Sequence, residues 1–228
     1  MRVTPQTELL QNASGRDPDL SVRPRADGHP GGLGKFVAVL GPDGSGKTTL
    51  IAELTEVVNR SGGRAAVFHW RPQFRRNGGP AIVVAEPHGK PMRSVAASLL
   101  KLPYLWWKFS VGYLTQVRPL LRSGKTVIFD RYFHDLLVDP TRYRYNAPEF
   151  LVRWVARRIP QPDLWIVLDA PLEILRQRKQ EVTFDETARQ RKAYLALAAV
   201  LQNAIVVDSS GAATHIAGAL QEHLKSRT

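Results

Sequence analysis

The chain has 228 residues, 43% hydrophobic and 23% charged, which is apolar material enough for one buried core in one α/β domain. It has no cysteine, which excludes a disulfide framework and a thiolate zinc site. Its formal net charge of +12 points toward an acidic partner: nucleic acid, anionic lipid or a phosphate-rich substrate.

Residues 1–33 carry Pro5, Pro18, Pro24 and Pro30 among glycines without apolar periodicity, and are expected to form a flexible tail. No basic start followed by an apolar run marks a secretory signal, and a cytoplasmic location is expected. One domain is expected over 34–228. Apolar runs at Phe36 to Leu40, Ala65 to Phe68, Thr126 to Phe129, Leu164 to Leu168 and Ala204 to Val207 read as strands covered on both faces. Helical patterns separate them at 47–60, 91–122, 147–158, 171–181, 185–202 and 212–225. Strands alternating with helices imply right-handed βαβ units: a five-stranded parallel sheet with helices on both faces, a three-layer α/β sandwich. The most apolar stretch, Leu99 to Leu121, is interrupted by Lys101, Pro103, Lys108, Gly112 and Arg118-Pro119. It falls short of the roughly 20 uncharged residues of a membrane span, so no membrane partner is expected.

In such sheets ligands bind at the carboxyl ends of the strands, and the chemistry-bearing motifs follow the apolar runs. After the first comes Gly41-Pro42-Asp43-Gly44-Ser45-Gly46-Lys47-Thr48-Thr49, which matches G-x-x-x-x-G-K-[ST] between a strand and a helix. Its glycines let successive N–H groups turn toward phosphates, and the helix beginning near Lys47 directs its positive dipole end at them. ATP and Mg²⁺ are the expected cofactors, with Lys47 reaching the β and γ phosphates and Thr48 holding the metal. After the third run stand Asp130-Arg131-Tyr132. Asp130 is placed to order Mg²⁺, with Asp169 as a rival, and Arg131 to neutralise an acceptor phosphate by a two-pronged contact. Arg176, Arg178, Lys179, Arg189 and Arg191 surround an irregular piece near 179–186, read as a basic lid over ATP. His134 and Asp135 are candidate bases for a hydroxyl acceptor.

In this order the motifs resemble those of thymidylate kinase, within the nucleoside monophosphate kinases. The resemblance is carried by the glycine-rich loop, by Val117-Arg118-Pro119-Leu120-Leu121 through Gly124-Lys125-Thr126 to Asp130-Arg131-Tyr132, and by Pro162-Asp163 to Asp169-Ala170-Pro171. Arg189-Gln190-Arg191-Lys192-Ala193-Tyr194 and Val206-Val207-Asp208-Ser209-Ser210-Gly211 extend it, so that it covers about residues 35 to 225. It implies a P-loop NTPase fold and transfer of the γ-phosphoryl group of ATP to a small anionic acceptor, a nucleoside monophosphate or a related molecule. It also implies that Asp43 meets an acceptor sugar hydroxyl and that Arg178 lies near the adenine and lid. Gly44 stands where one subgroup has a catalytic arginine, so Arg178, Lys179 or Arg189 would supply that charge.

The base-recognition half departs from the family. Phe133-His134-Asp135-Leu136-Leu137 replaces a serine followed by an Ala-Tyr-Gln stretch, the base-reading arginine falls on Phe109, and Arg-Glu-Pro-Gly-Gly is reduced to Trp70-Arg71-Pro72-Gln73-Phe74. Arginines and aromatics interleave instead, at His69, Trp70, Arg71, Phe74, Arg75 and Arg76, then at His88, Lys90 and Arg93, and later from Arg142 to Tyr145. They suit an acceptor with a phosphate and a flat or sugar ring. A sugar or sugar-phosphate acceptor, a polynucleotide end bound through the basic charge, and an ATP-binding switch without transfer are the alternatives. A homodimer is left open.

Overall fold

The computed structural model describes residues 34–72, 91–178 and 183–226. The expected tail at 1–33, the stretch with Gln73, Phe74, Arg75, Arg76, His88 and Lys90, and Lys179 with the lid residues to 182 lie outside the described residues.

The strands are β1 (Phe36–Leu40), β2 (Ala65–His69), β3 (Thr126–Asp130), β4 (Leu164–Asp169) and β5 (Ala204–Asp208). They form one parallel sheet in the order β2-β3-β1-β4-β5. Strand β1 is central, and all its side chains are buried. Alternate residues serve opposite faces, because successive strand side chains point to opposite sides. Phe36, Ala38 and Leu40 join one core cluster, whereas Val37 and Val39 join the other. Strands β2 to β5 each run one residue beyond the expected apolar run, ending on His69, Asp130, Asp169 and Asp208. Ladder pairing carries these polar residues, since His69 pairs with Asp130 and Asp169 with Asp208. Strand order reverses around β1, so a crevice opens at its carboxyl end.

Helices α1 (Lys47–Arg60) and α8 (Ala213–Ser226) cover one face. The other carries α2 (Val95–Gly112), α3 (Arg118–Arg122), α5 (Glu149–Ala156) and α7 (Phe184–Val200). Short α4 (Asp135–Val138) and α6 (Leu172–Arg178) follow β3 and β4. The single helix expected over 91–122 is a compound one. Ser94 caps α2 by accepting from Ala97 N at 3.3 Å, and Tyr113–Val117 form a π turn in which Arg118 N donates to Tyr113 O. Pro119 lacks an N–H and would crowd the carbonyl four residues back, and the wider turn absorbs that mismatch. Among the described residues no helix is long and apolar enough to cross a membrane.

Candidate active site

The turn from β1 into α1 is closed by its own side chains. Lys47 Nζ donates to Gly41 O at 2.8 Å, to Pro42 O at 2.7 Å and to Ser45 Oγ at 3.4 Å. Gly46 caps α1 in the left-handed conformation, so the first N–H groups of the helix open onto the turn. Gly41, with φ +146°, could not carry a side chain, because a Cβ would lie 2.8 Å from Leu168 O. Gly44, with φ +81°, is equally constrained: its Cβ would collide with Leu175 O. An arginine at this position would need a different backbone. Asp43, Ser45 and Lys47 are buried, while Thr48 and Thr49 are exposed on the first turn of the helix. Burial, reinforced by the Arg131 charge, pulls the Lys47 ammonium down to about 7.

The end of β3 brings the acid and the arginine beside this turn. Asp130 Oδ2 is 3.0 Å from His69 Nδ1, and its Oδ1 is buried with no hydrogen-bond partner among the described residues. Burial disfavours its charge, but the His69 hydrogen bond and the Lys47 charge outweigh that and hold the carboxyl below its ordinary value. Its rival Asp169 is already engaged: Arg191 Nε and Nη2 reach its two oxygens at 2.6 and 2.7 Å. Of the two rivals, that bidentate pair leaves Asp130 as the one with an unpartnered oxygen among the described residues.

Arg131 adopts φ +65°, a conformation costly for a non-glycine residue, and its backbone N–H bonds Val39 O at 3.0 Å. Its guanidinium is buried. Nη2 pairs with Asp43, and Nη1 donates to Asp135 Oδ2 at 2.8 Å and to Tyr194 OH at 3.2 Å. Asp135 also accepts from Tyr143 OH at 2.6 Å and from Tyr194 OH. Arg142 extends the lattice, pairing with Asp43 and donating from Nε to Asp139 Oδ2 at 3.1 Å, where Gln190 Nε2 also reaches at 3.4 Å. Burial works against the Arg131 charge, yet Asp135 with its neighbours holds the group protonated far above the ordinary range. Burial and the Asp135 charge likewise keep Tyr143 and Tyr194 as phenols. The sequence places Arg142 among the arginines and aromatics that suit an acceptor, but does not connect Asp139, Gln190 and Tyr194 to this site. The i,i+3 pair Asp139/Arg142 beside Pro140 was its one local signal.

The base expected from His134 and Asp135 is not supported by the geometry. His134 is 4% exposed, lies 4.5 Å centroid to centroid from the Trp165 ring, and is pushed by burial down to about 3. It is a neutral core side chain. Asp135 is 0% exposed and serves as the acceptor for Arg131 and two phenols. Phe109 is likewise interior, edge-on to Tyr132 at 4.9 Å and to Phe133 at 5.6 Å.

Arg178 and Arg189 approach from the sides. Arg178 Nη1 donates to Ser209 O at 3.0 Å and lies 3.7 Å from where a Gly46 Cβ would be, over the phosphate turn. Arg189 is tied to Glu186 at 2.6 and 2.7 Å and donates to Val138 O at 2.9 Å. Trp70, with φ +58°, stacks on Tyr143 at 4.5 Å, and its Nε1 is buried without a hydrogen-bond partner among the described residues.

A family model for thymidylate kinase matches residues 39–216. A thymidylate kinase of Bordetella petrii is 31% identical over 219 residues, covering 85% of this chain and 96% of that protein. One from Mycobacterium tuberculosis is 26% identical, covering 70% and 77%. A solved thymidylate kinase from Candida albicans shares the fold, with a TM-score of 0.58 and 20% identity over 85% of this chain and 92% of that one. With the family model spanning most of its length, the chain belongs to the thymidylate kinase family of ATP-dependent nucleoside monophosphate kinases.

Proposed function

We propose that the protein transfers the γ-phosphoryl group of ATP to an acceptor that already carries a phosphate, and that it does not read the edge of thymine. One observation carries the choice of a phosphate over a sugar hydroxyl as attacking group. Beside the phosphate turn, His134 is buried and neutral, Asp135 and Asp43 are engaged by guanidinium and phenol groups, and the Asp130 carboxyl is held below its ordinary value. None is suited to remove a hydroxyl proton, whereas a phosphate oxygen is already an anion and needs no base. Phe109, sealed in the core, supports the second half of the reading, since no guanidinium stands there to bond a base.

In the transfer an acceptor oxygen forms a bond to the γ phosphorus, the bond to the β–γ bridging oxygen breaks, and that oxygen leaves on ADP with the electron pair. Gly41, Asp43, Gly44, Ser45, Gly46, Lys47, Thr48 and Thr49 form the donor's cradle. Lys47 exchanges its loop carbonyls for phosphate oxygens and regains full charge. Arg131 turns the N–H groups not used by Asp43, Asp135 and Tyr194 toward the acceptor phosphate, and Arg142 fixes Asp43 beside it. Arg178 and Arg189 supply the charge that Gly44 cannot. The unpaired Asp130 oxygen and the exposed Thr48 hydroxyl fit Mg²⁺ and would hold it, and the ion would supply positive charge where the transition state concentrates negative charge.

The test is an acceptor panel scored by ADP release with Mg²⁺: nucleoside monophosphates, free nucleosides, sugars and sugar phosphates. The expected result is turnover on phosphorylated acceptors alone, with dTMP no better than other monophosphates. Turnover on an unphosphorylated sugar, or strong selectivity for dTMP, would overturn the reading.

A further inference from the structure

Beyond the carboxylate-rich lattice around Arg131, Tyr143 leads to a second cationic group of different character. Its hydroxyl bonds Asp135 at 2.6 Å, while its carbonyl accepts from Lys101 Nζ of α2. The next residue, Arg144, adopts φ +52°, donates from Nε to Pro91 O at 2.8 Å, and accepts at its carbonyl from Arg93 N at 3.3 Å. Arg71 lies with its guanidinium 5.0 Å from the centroid of the Trp70 ring, and that ring stacks on Tyr143. Arg131 and Arg142 face Asp43, Asp135 and Asp139, whereas the contacts of Arg71, Arg93, Lys101 and Arg144 among the described residues are neutral acceptors and a ring face. Among the described residues no carboxylate pairs with Arg71, Arg93, Lys101 or Arg144.

Like charges gathered without a counter-charge are unfavourable until an anion joins them, and left-handed arginine and tryptophan backbones are strain that a bound ligand can justify. We propose that Arg71, Arg93, Lys101 and Arg144 form a second anion subsite, linked to Arg131 through Asp135 and Tyr143, which holds an acidic group of the acceptor other than the phosphate that accepts. This rests on the kinase reading above and narrows its preferred substrate: among phosphorylated acceptors, the one favoured carries a second anionic group that does not react. The partial discharge of Lys101 agrees with this, since burial and the charges of Arg93, Arg71 and Arg144 bring it down to about 8.

The test uses the full chain saturated with Mg-ADP, so that the phosphate turn is filled, and limited lysine acetylation at pH 8 read by peptide mass spectrometry. The probes are inorganic phosphate and acetate against chloride at equal ionic strength, with exposed Lys192 and Lys225 as references. Phosphate or acetate should slow acetylation of Lys101 at least five-fold without affecting the references, and whichever acts at lower concentration identifies the acidic group. Arg93→Gln with Arg144→Gln should raise the half-protecting concentration about ten-fold or more. Equal protection of all three lysines, or none at Lys101, would overturn the subsite. Protection at Lys101 in a protein that transfers phosphate to no acceptor would leave the subsite standing and remove the kinase reading.

Discussion

Asp135→Asn separates a structural acid from a catalytic one. The substitution keeps the volume and removes the charge from a side chain that is 0% exposed and accepts from Arg131 Nη1 at 2.8 Å and Tyr143 OH at 2.6 Å, with Tyr194 as a third donor. Breaking a buried ion pair by removing one partner costs about 3–5 kcal/mol, because the remaining charge stays in a low-dielectric site. Asp43 softens the loss, but it is shared with Arg142. For a domain of this size each kcal/mol moves the melting temperature by about 2–4 °C, so the variant should melt roughly 6–20 °C lower. Thermal unfolding followed by circular dichroism reads the shift, and transfer measured well below the melting point reads the chemistry. A variant that melts with the wild type while losing transfer would refute the structural role and return Asp135 to the list of bases.

Lys47 makes ATP binding take up protons. Its ammonium sits at about 7 in the free protein against an ordinary 10.5, and phosphates restore its charge. Calorimetry in buffers of different ionisation enthalpy should show about half a proton taken up at pH 7, most of one at pH 8 and almost none at pH 5. The same depressed value means that the unfolded chain holds more protons between about pH 7 and 10.5. The Lys47 contribution to stability therefore rises with pH across that window, and Lys47→Met should flatten the rise. Asp130→Asn should lower transfer by about 10²-fold or more and raise the Mg²⁺ needed. Asp169→Asn, which breaks the pair with Arg191, should leave the Mg²⁺ requirement unchanged, and magnesium titrations of both variants check the assignment. Gly44→Ala should lower the melting temperature and weaken ATP binding at least ten-fold, since φ +81° and the Leu175 carbonyl leave no room for a methyl group.

The donor half of the proposed site is legible in the sequence because it is local. The glycine turn, Lys47 and Thr48 are contiguous, and the apolar runs that set the strands are short and bounded, so a linear reading reaches both. Extending β3 to Asp130 and β4 to Asp169 required knowing the ladder partners, which are separated by many residues. The proposed acceptor half is built from long-range pairs: Asp43 with Arg142, Asp135 with Tyr194, Asp139 with Gln190. No spacing rule joins residues that far apart. His134 and Asp135 resembled a base pair in sequence because burial is invisible there. The structure makes one a neutral ring against Trp165 and the other a buried anchor. Phe109 stands where the resemblance puts the family's base-reading arginine, and its burial among aromatic rings gives that difference its physical meaning.

Transfer of label from [γ-³²P]ATP to a nucleoside monophosphate, compared between wild type and Lys47→Ala, reaches the centre of the account. The wild type should pass label to acceptor with Mg²⁺, and the variant should be slower by about three orders of magnitude or more while melting no lower. A variant that transfers label at the wild-type rate would contradict it.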